Sequence, residues 1–268
     1  MVIARIVNLL LNPSLRVQMT SMLIIISLIA GLLIGAIGVG GVLLVPGLTY
    51  IVDIEVHRAI PACMLSFLPT GLIALVVYAR HGSIRWPLAG WLCLGALPGA
   101  YLGAVALPYV SAHLVMALIA GLMVFAGSDS LFQFTRKLSF LGKAEALGAG
   151  CYLLLGVITG FGSAMSGTGG PLILVPVLLY LGLPLLHSVG LSQAVQIPIA
   201  LSASVGNWSN DSLDWALASV ISVALTLGAL IGALVIHRLP AEPLRRFVAV
   251  FIILVGLAVA LRLALSVA

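Results

Sequence analysis

The run Gly167-Thr168-Gly169-Gly170-Pro171-Leu172-Ile173-Leu174-Val175-Pro176 lies inside an apolar stretch covering 146–182. That stretch is too long for one simple crossing of a hydrocarbon core roughly 30 Å thick, and the glycines interrupt it. The pattern occurs a second time. Gly38-Val39-Gly40-Gly41, then Val42-Leu43-Leu44-Val45-Pro46, interrupts the apolar stretch 21–52. Backbone groups in hydrocarbon must be satisfied, so a broken helix survives only inside protein or beside water. Each run therefore predicts a helix that breaks near the bilayer midplane and gives way to a new half-helix, over 41–52 and over 170–182.

The repetition extends outward from the glycines. Tyr50 pairs with Tyr180, His57 with His187, Ser83-Ile84-Arg85-Trp86 with Ser212-Leu213-Asp214-Trp215, and Gly99-xxx-Gly103 with Gly228-xxx-Gly232. Order and spacing hold throughout, which identifies a duplicated unit. Further apolar segments fall near 59–79, 86–107, 110–128, 188–208, 215–236 and 246–265, giving four segments per half. The polar stretch from Arg136-Lys137 to Lys143 divides them. The organisation read from this is a flank over 1–20, a first repeat over 21–134, a cytoplasmic linker over 135–145 and a second repeat over 146–268.

Composition agrees with a lipid solvent. The chain has 268 residues, 62% hydrophobic and only 7% charged, with a mean hydropathy of +1.29; soluble domains carry about 25% charged residues. The segments show no period-two alternation, so helices rather than an outer-membrane barrel are expected. The fold class is an all-α polytopic membrane protein, built from two repeats of about four segments with the first segment of each broken or re-entrant.

Loop charge orients the copies. The loop 80–85 holds Arg80 and Arg85, and its counterpart at 210–214 holds Asp211 and Asp214. The loop near 106–112 has no Lys or Arg, and its counterpart at 237–246 holds Arg238, Arg245 and Arg246. Basic loops stay in the cytoplasm. Equivalent loops of opposite character therefore predict inverted copies, with each first segment entering and returning.

Candidate site residues follow from these breaks. A half-helix begins with unpaired N–H groups carrying partial positive charge. Two such N-termini near a pseudo-twofold axis would form an anion site. Gly38, Gly40 and Gly41 in one copy, with Gly167, Thr168, Gly169 and Gly170 in the other, are the residues placed there. The sixth segment adds Ser192, Gln193 and Gln196, whose hydroxyl and amides can donate to oxyanion oxygens without adding charge. Interhelical hydrogen bonding is the competing role for them. The first copy offers Ala62, Cys63 and Ser66 at the equivalent positions, so the second copy supplies most of the chemistry. His57 and His187 begin equivalent helices and could titrate near neutral pH as gates; satisfied interfacial histidines are the alternative. Gly99, Gly103, Gly228 and Gly232 read as helix-packing residues. Asp129 reads as a solvated helix end, and Cys63, Cys93 and Cys151 as small buried hydrophobes.

Other classes are not supported. The chain has no Gly-Lys-Ser/Thr loop for ATP, no metal-type cluster, no catalytic constellation and no feature calling for a cofactor. It has no basic run of the kind that binds nucleic acid. Its partners are therefore the bilayer and a small anion, and the GxxxG stripes permit a homodimer without requiring one.

The paired G-x-G-G runs ending in Val-Pro, each followed by a loop and a helix starting near His57 or His187, resemble the sulfite exporter TauE/SafE family. The second copy is the closer match, with His187-Ser188-Val189-Gly190 and Ser192-Gln193. The first departs from the pattern at Gly41-Val42 and is one residue shorter before Val-Pro. The resemblance covers nearly the whole chain from about residue 25. It implies movement of small sulfur-containing anions such as sulfite, sulfoacetate or related organosulfonates across the bacterial inner membrane. Export by alternating access is the leading expectation. Import of sulfate, thiosulfate or another oxyanion is the alternative, and a non-transporting membrane scaffold is the reading from another class.

Overall fold

The structure, a computed structural model, describes residues 13–37, 40–132, 147–236 and 241–267. Gly38 and the 135–145 linker lie outside the described residues. Those described form ten α-helices and no strand: α1 Pro13–Ile37, α2 Gly41–Tyr50, α3 Val56–Arg80, α4 Trp86–Ala106, α5 Ala112–Phe132, α6 Ala149–Ser166, α7 Pro171–Tyr180, α8 Leu185–Ser209, α9 Trp215–Ile236 and α10 Ala241–Val267. Eight are long and apolar enough to cross a membrane, and α2 and α7 are ten-residue helices. At 1.5 Å per residue each short helix spans about 15 Å, half a hydrocarbon core.

The expected breaks are present, and in both halves the chain doubles back. A Cβ on Gly40 would lie 2.1 Å from the Ala30 oxygen, and one on Gly47 would lie 2.8 Å from Ile26 Cγ2. Later residues of α2 thus meet earlier residues of α1. In the second half, a Cβ on Gly162 of α6 would lie 2.8 Å from Ile173 Cδ1 of α7.

The halves interlock rather than sit side by side. The first helix of each packs on the fourth of the other: α1 on α9, and α6 on α4. Helix α3 packs on α8 and α9, α8 on α3 and α4, and α5 on α10. Exchanging the halves returns the same set of pairs. The closest contacts use the glycine stripes. A Cβ on Gly99 would lie 2.2 Å from the Val157 oxygen of α6, and one on Gly228 would lie 2.2 Å from the Leu28 oxygen of α1. Backbones approach this closely only where the side chain is a hydrogen. The stripes are thus occupied within the chain itself.

Backbone geometry repeats as well. The α3–α4 turn has Gly82 at φ +66°, and the α8–α9 turn has Asp211 at φ +51°. Asp53 at +64° and Gly182 at +83° match after α2 and α7. Glycine adopts this left-handed region freely, and aspartate is among the few other residues that tolerate it.

Both ends of the bundle can be identified. At one, His57 Nε2 lies 2.9 Å from the Val110 oxygen, Asn210 Nδ2 donates to the Ala104 oxygen at 3.4 Å, and Arg58 pairs with Asp214 at 2.5 Å. At the other, Gly190 abuts Ser83. The equivalent Trp86 and Trp215 are both exposed, one at each end, as interfacial tryptophans are. Between them the surface is apolar, with Leu94, Leu102, Leu154, Ile158, Val223 and Leu227 exposed. Two expectations fail here. Cys151 is exposed rather than buried, because the face of α6 that packs on α4 is carried by Gly156 and Gly160 instead. Asp129 is buried rather than solvated, because α10 packs along α5 around Gly127.

Asp214 caps α9, accepting from the Leu217 N–H at 3.0 Å. That bond, with Arg58 next to it, holds the carboxyl below its usual range despite partial desolvation. A depressed acid stabilises above its unfolded pKa, and the benefit is lost as pH falls through the folded value. Asp214→Asn keeps a cap and removes the charge. It is expected to cost up to about 1 kcal/mol near pH 7, because the pair is exposed. The difference from wild type should vanish once pH falls well below about 4. Thermal unfolding of both proteins across pH in one detergent measures this.

Candidate functional site

The two breaks meet in the middle of the bundle. A Cβ on Gly41, the first residue of α2, would lie 2.8 Å from the Thr168 oxygen and 3.0 Å from Phe67 Cζ. A Cβ on Gly169 would lie 3.0 Å from the other side of the same ring. Phe67 stands near the centre of α3 and is fully buried. It separates the two half-helix starts, one from each repeat. Gly38 cannot be placed, and Gly40 is used in the fold-back onto α1 rather than at this junction.

The breaks differ in conformation. In the second, Gly167, Gly169 and Gly170 all have positive φ, at +69°, +77° and +110°. The Gly167 and Thr168 N–H groups return to the Ser163 oxygen at 2.9 and 3.3 Å, closing α6 with a left-handed residue. Pro171 then opens α7 with its ring-fixed φ. In the first break, Gly40 is right-handed at φ −66°. No side chain caps α2 or α7.

The polar residues predicted for the site divide by what they already bond. Ser66 donates to the Ala62 oxygen at 2.7 Å and approaches the Ala218 oxygen at 3.0 Å, tying α3 to α9. Ser192 donates to its own helix at Val189, 2.7 Å away. Gln196 Nε2 donates to the Phe67 oxygen at 3.4 Å, joining α8 to α3 beside the junction. Gln193 is different. It is fully buried, and neither its Nε2 nor its Oε1 has a partner. A buried amide left this way costs about 1–3 kcal/mol, so it is the strongest candidate for a group held ready for a ligand.

The structure adds residues not predicted for the site. Thr159 and Ser163 of α6 are fully buried with unpartnered hydroxyls, and Ser163 Oγ would lie 3.9 Å from a Cβ on Gly170. Ser166 Oγ and Thr168 Oγ1 are 2.9 Å apart. The signal was present in the sequence: positions 159, 163 and 166 are four and three apart and lead directly into the glycines.

His57 and His187 do not join the junction. His57 sits at the Arg58–Asp214 end, while His187 starts α8 towards the Ser83 end, its Nδ1 buried without a partner. Among the described residues Asp129 is the one buried charged group, and no lysine or arginine is buried. The junction therefore offers neutral donors and helix starts, which suit an anion that must leave again.

A protein-family model described as Sulfite exporter TauE/SafE matches residues 23–259. Among curated proteins, the chain is 25% identical over 230 residues to the probable membrane transporter protein YdhB of Bacillus subtilis, covering 84% of this chain and 93% of that one. It is 25% identical over 259 residues to the probable membrane transporter protein YjnA of the same organism, covering 89% and 99%. It is 26% identical over 185 residues to the probable membrane transporter protein MJ0441 of Methanocaldococcus jannaschii, covering 66% and 68%. No solved structure gives a significant match.

Proposed function

Because the chain belongs to the sulfite exporter TauE/SafE family, a family of membrane transporters, we propose that it exports small sulfur-containing anions from a bacterial cell across the inner membrane. Sulfite, sulfoacetate and related organosulfonates are the substrate class. The observation that carries this reading is the junction of the two breaks at Phe67, with the unpartnered amide of Gln193 on the adjoining helix. Three or more oxygens on one small anion can take several neutral donors at once.

The two repeats are inverted across the membrane, with the 135–145 linker and the Arg80 and Arg85 loop in the cytoplasm. The packing of α5 against its counterpart α10 supports this. Gly127 meets Ile253 and Ala249, while Gly256 meets Met123 and Ala120, so the two run antiparallel. Transport is alternating access, one repeat moving against the other about the junction. His57 and His187, one towards each end of the bundle, gate the two directions of access.

Voltage gives the direction. With the cell interior negative, each anionic charge that leaves gains about 2.3 kcal/mol per 100 mV, so export needs no coupling ion. In proteoliposomes containing sulfite, an imposed potential negative on the cytoplasmic side is expected to accelerate efflux through the purified protein. Reversing the potential should slow it, with no requirement for a pH gradient. Flux that needs a proton or sodium gradient would instead identify an importer, and no flux of any sulfur anion would remove the transport assignment.

A further inference from the structure

One face of α8 carries polar residues beyond the junction that the export site does not use. Gln193, Gln196, Ser204 and Asn207 fall at intervals of three, eight and three, which places them on one stripe of a 3.6-residue helix. The stripe lies on the side turned towards α3. Gln196 donates to the Phe67 oxygen there, and the same glutamine and Ile197 line Gly71. It extends about 21 Å along α8, from the junction to the end of the bundle that holds the α8–α9 turn.

Ser204 is 7% exposed and Asn207 is 1% exposed, yet Ser204 Oγ and Asn207 Nδ2 have no hydrogen-bond partner. Nearby α3 does not supply one. Between Phe67 and the same end, α3 buries Cys63, Ile60, Ala59 and Val56, and its Ser66 hydroxyl is already taken up by the Ala62 and Ala218 oxygens. Beyond Phe67, Thr70 is likewise tied, bonding the Ser66 oxygen at 3.0 Å and lying 3.3 Å from Thr226 Oγ1 of α9.

Buried donors without partners persist where something else satisfies them for part of the time. We propose that the α3-facing stripe of α8 is the path from the junction to the outer face, with Ser204 and Asn207 forming a second subsite for a small oxyanion. The proposal rests on the transport reading above. An anion leaving the junction moves from Gln193 to the Asn207 amide, and the weak neutral donors let it pass on.

Accessibility tests the path independently of flux. In a background with Cys63, Cys93 and Cys151 replaced by serine, Asn207→Cys is expected to react with a charged, membrane-impermeant thiosulfonate applied outside right-side-out vesicles. Val205→Cys, on the exposed apolar face of the same helix, should react at least tenfold more slowly. Sulfoacetate, which does not attack the reagent, should slow labelling at 207 at least threefold. In parallel, Asn207→Leu should lower sulfite efflux about tenfold. Labelling at 207 no faster than at 205 overturns the path, and labelling that sulfoacetate does not slow overturns the subsite. Wild-type protein without sulfur-anion flux but with rapid labelling at 207 would overturn the export reading alone.

Discussion

Gly170→Ala is expected to lower anion flux at least tenfold and to reduce thermal stability. Gly170 holds φ +110° and ψ −48° immediately before α7. A non-glycine residue forced into such a region costs on the order of 1–3 kcal/mol. The added methyl would lie 3.0 Å from Ile199 Cδ1, the far end of a flexible side chain, so space is the lesser difficulty. The chain can relieve the strain only by changing how it enters α7. That turns the helix start away from Phe67 and from the paired start at Gly41. Flux in proteoliposomes and unfolding in detergent, measured on one preparation, separate the two effects. Wild-type flux in Gly170→Ala would mean the breaks do not shape the transport site.

The second large effect carries opposite signs for stability and function. Gln193→Leu replaces a fully buried amide, without partners at either polar atom, by an apolar side chain of similar size. Removing the unsatisfied group should raise the stability of the ligand-free protein by about 1–3 kcal/mol. Hydrogen bonds to a charged ligand are worth roughly 1.5–3 kcal/mol, so anion affinity should fall by about tenfold to a hundredfold. Calorimetric titration with sulfoacetate and thermal unfolding of the ligand-free variant measure the pair. A variant that loses stability and keeps its affinity would place Gln193 in the packing of α8 rather than in the site. Gln196→Leu should behave differently, because its amide already bonds the Phe67 oxygen. Part of its loss would come from freeing α3 and α8 from one another.

Much of this molecule could be read from one dimension. Apolar segments long enough to span a bilayer, and glycines too clustered for an unbroken helix, required multiple crossings and two interruptions. Equivalent spacing of Trp86 and Trp215, and of Gly99 and Gly228, carried the duplication. The family resemblance drawn from the paired glycine runs is borne out by the match over 23–259. The roles of individual polar residues could not be read in the same way. Ser66, Ser192, Gln193 and Gln196 are chemically similar and sit at similar depth, but three have protein partners and one has none. A hydrogen bond depends on what lies about 3 Å away, and for Ser66 and Gln196 that group is 152 and 129 residues distant in the chain.

By itself the sequence determined the solvent, the helices, the two breaks and the pairing of the halves. Each of these depends on composition or on spacing within one segment. Only the tertiary structure decided that α1 packs on α9 and α6 on α4, that both breaks converge on Phe67, and that Gln193, Ser204 and Asn207 of α8 keep polar atoms without a partner. Those are relations between segments far apart in the chain, as Gly99 is from Val157 and Gly228 from Leu28. They are fixed by which helix faces can approach closely, through glycines such as Gly99 and Gly228, and by which buried donors then remain without a partner.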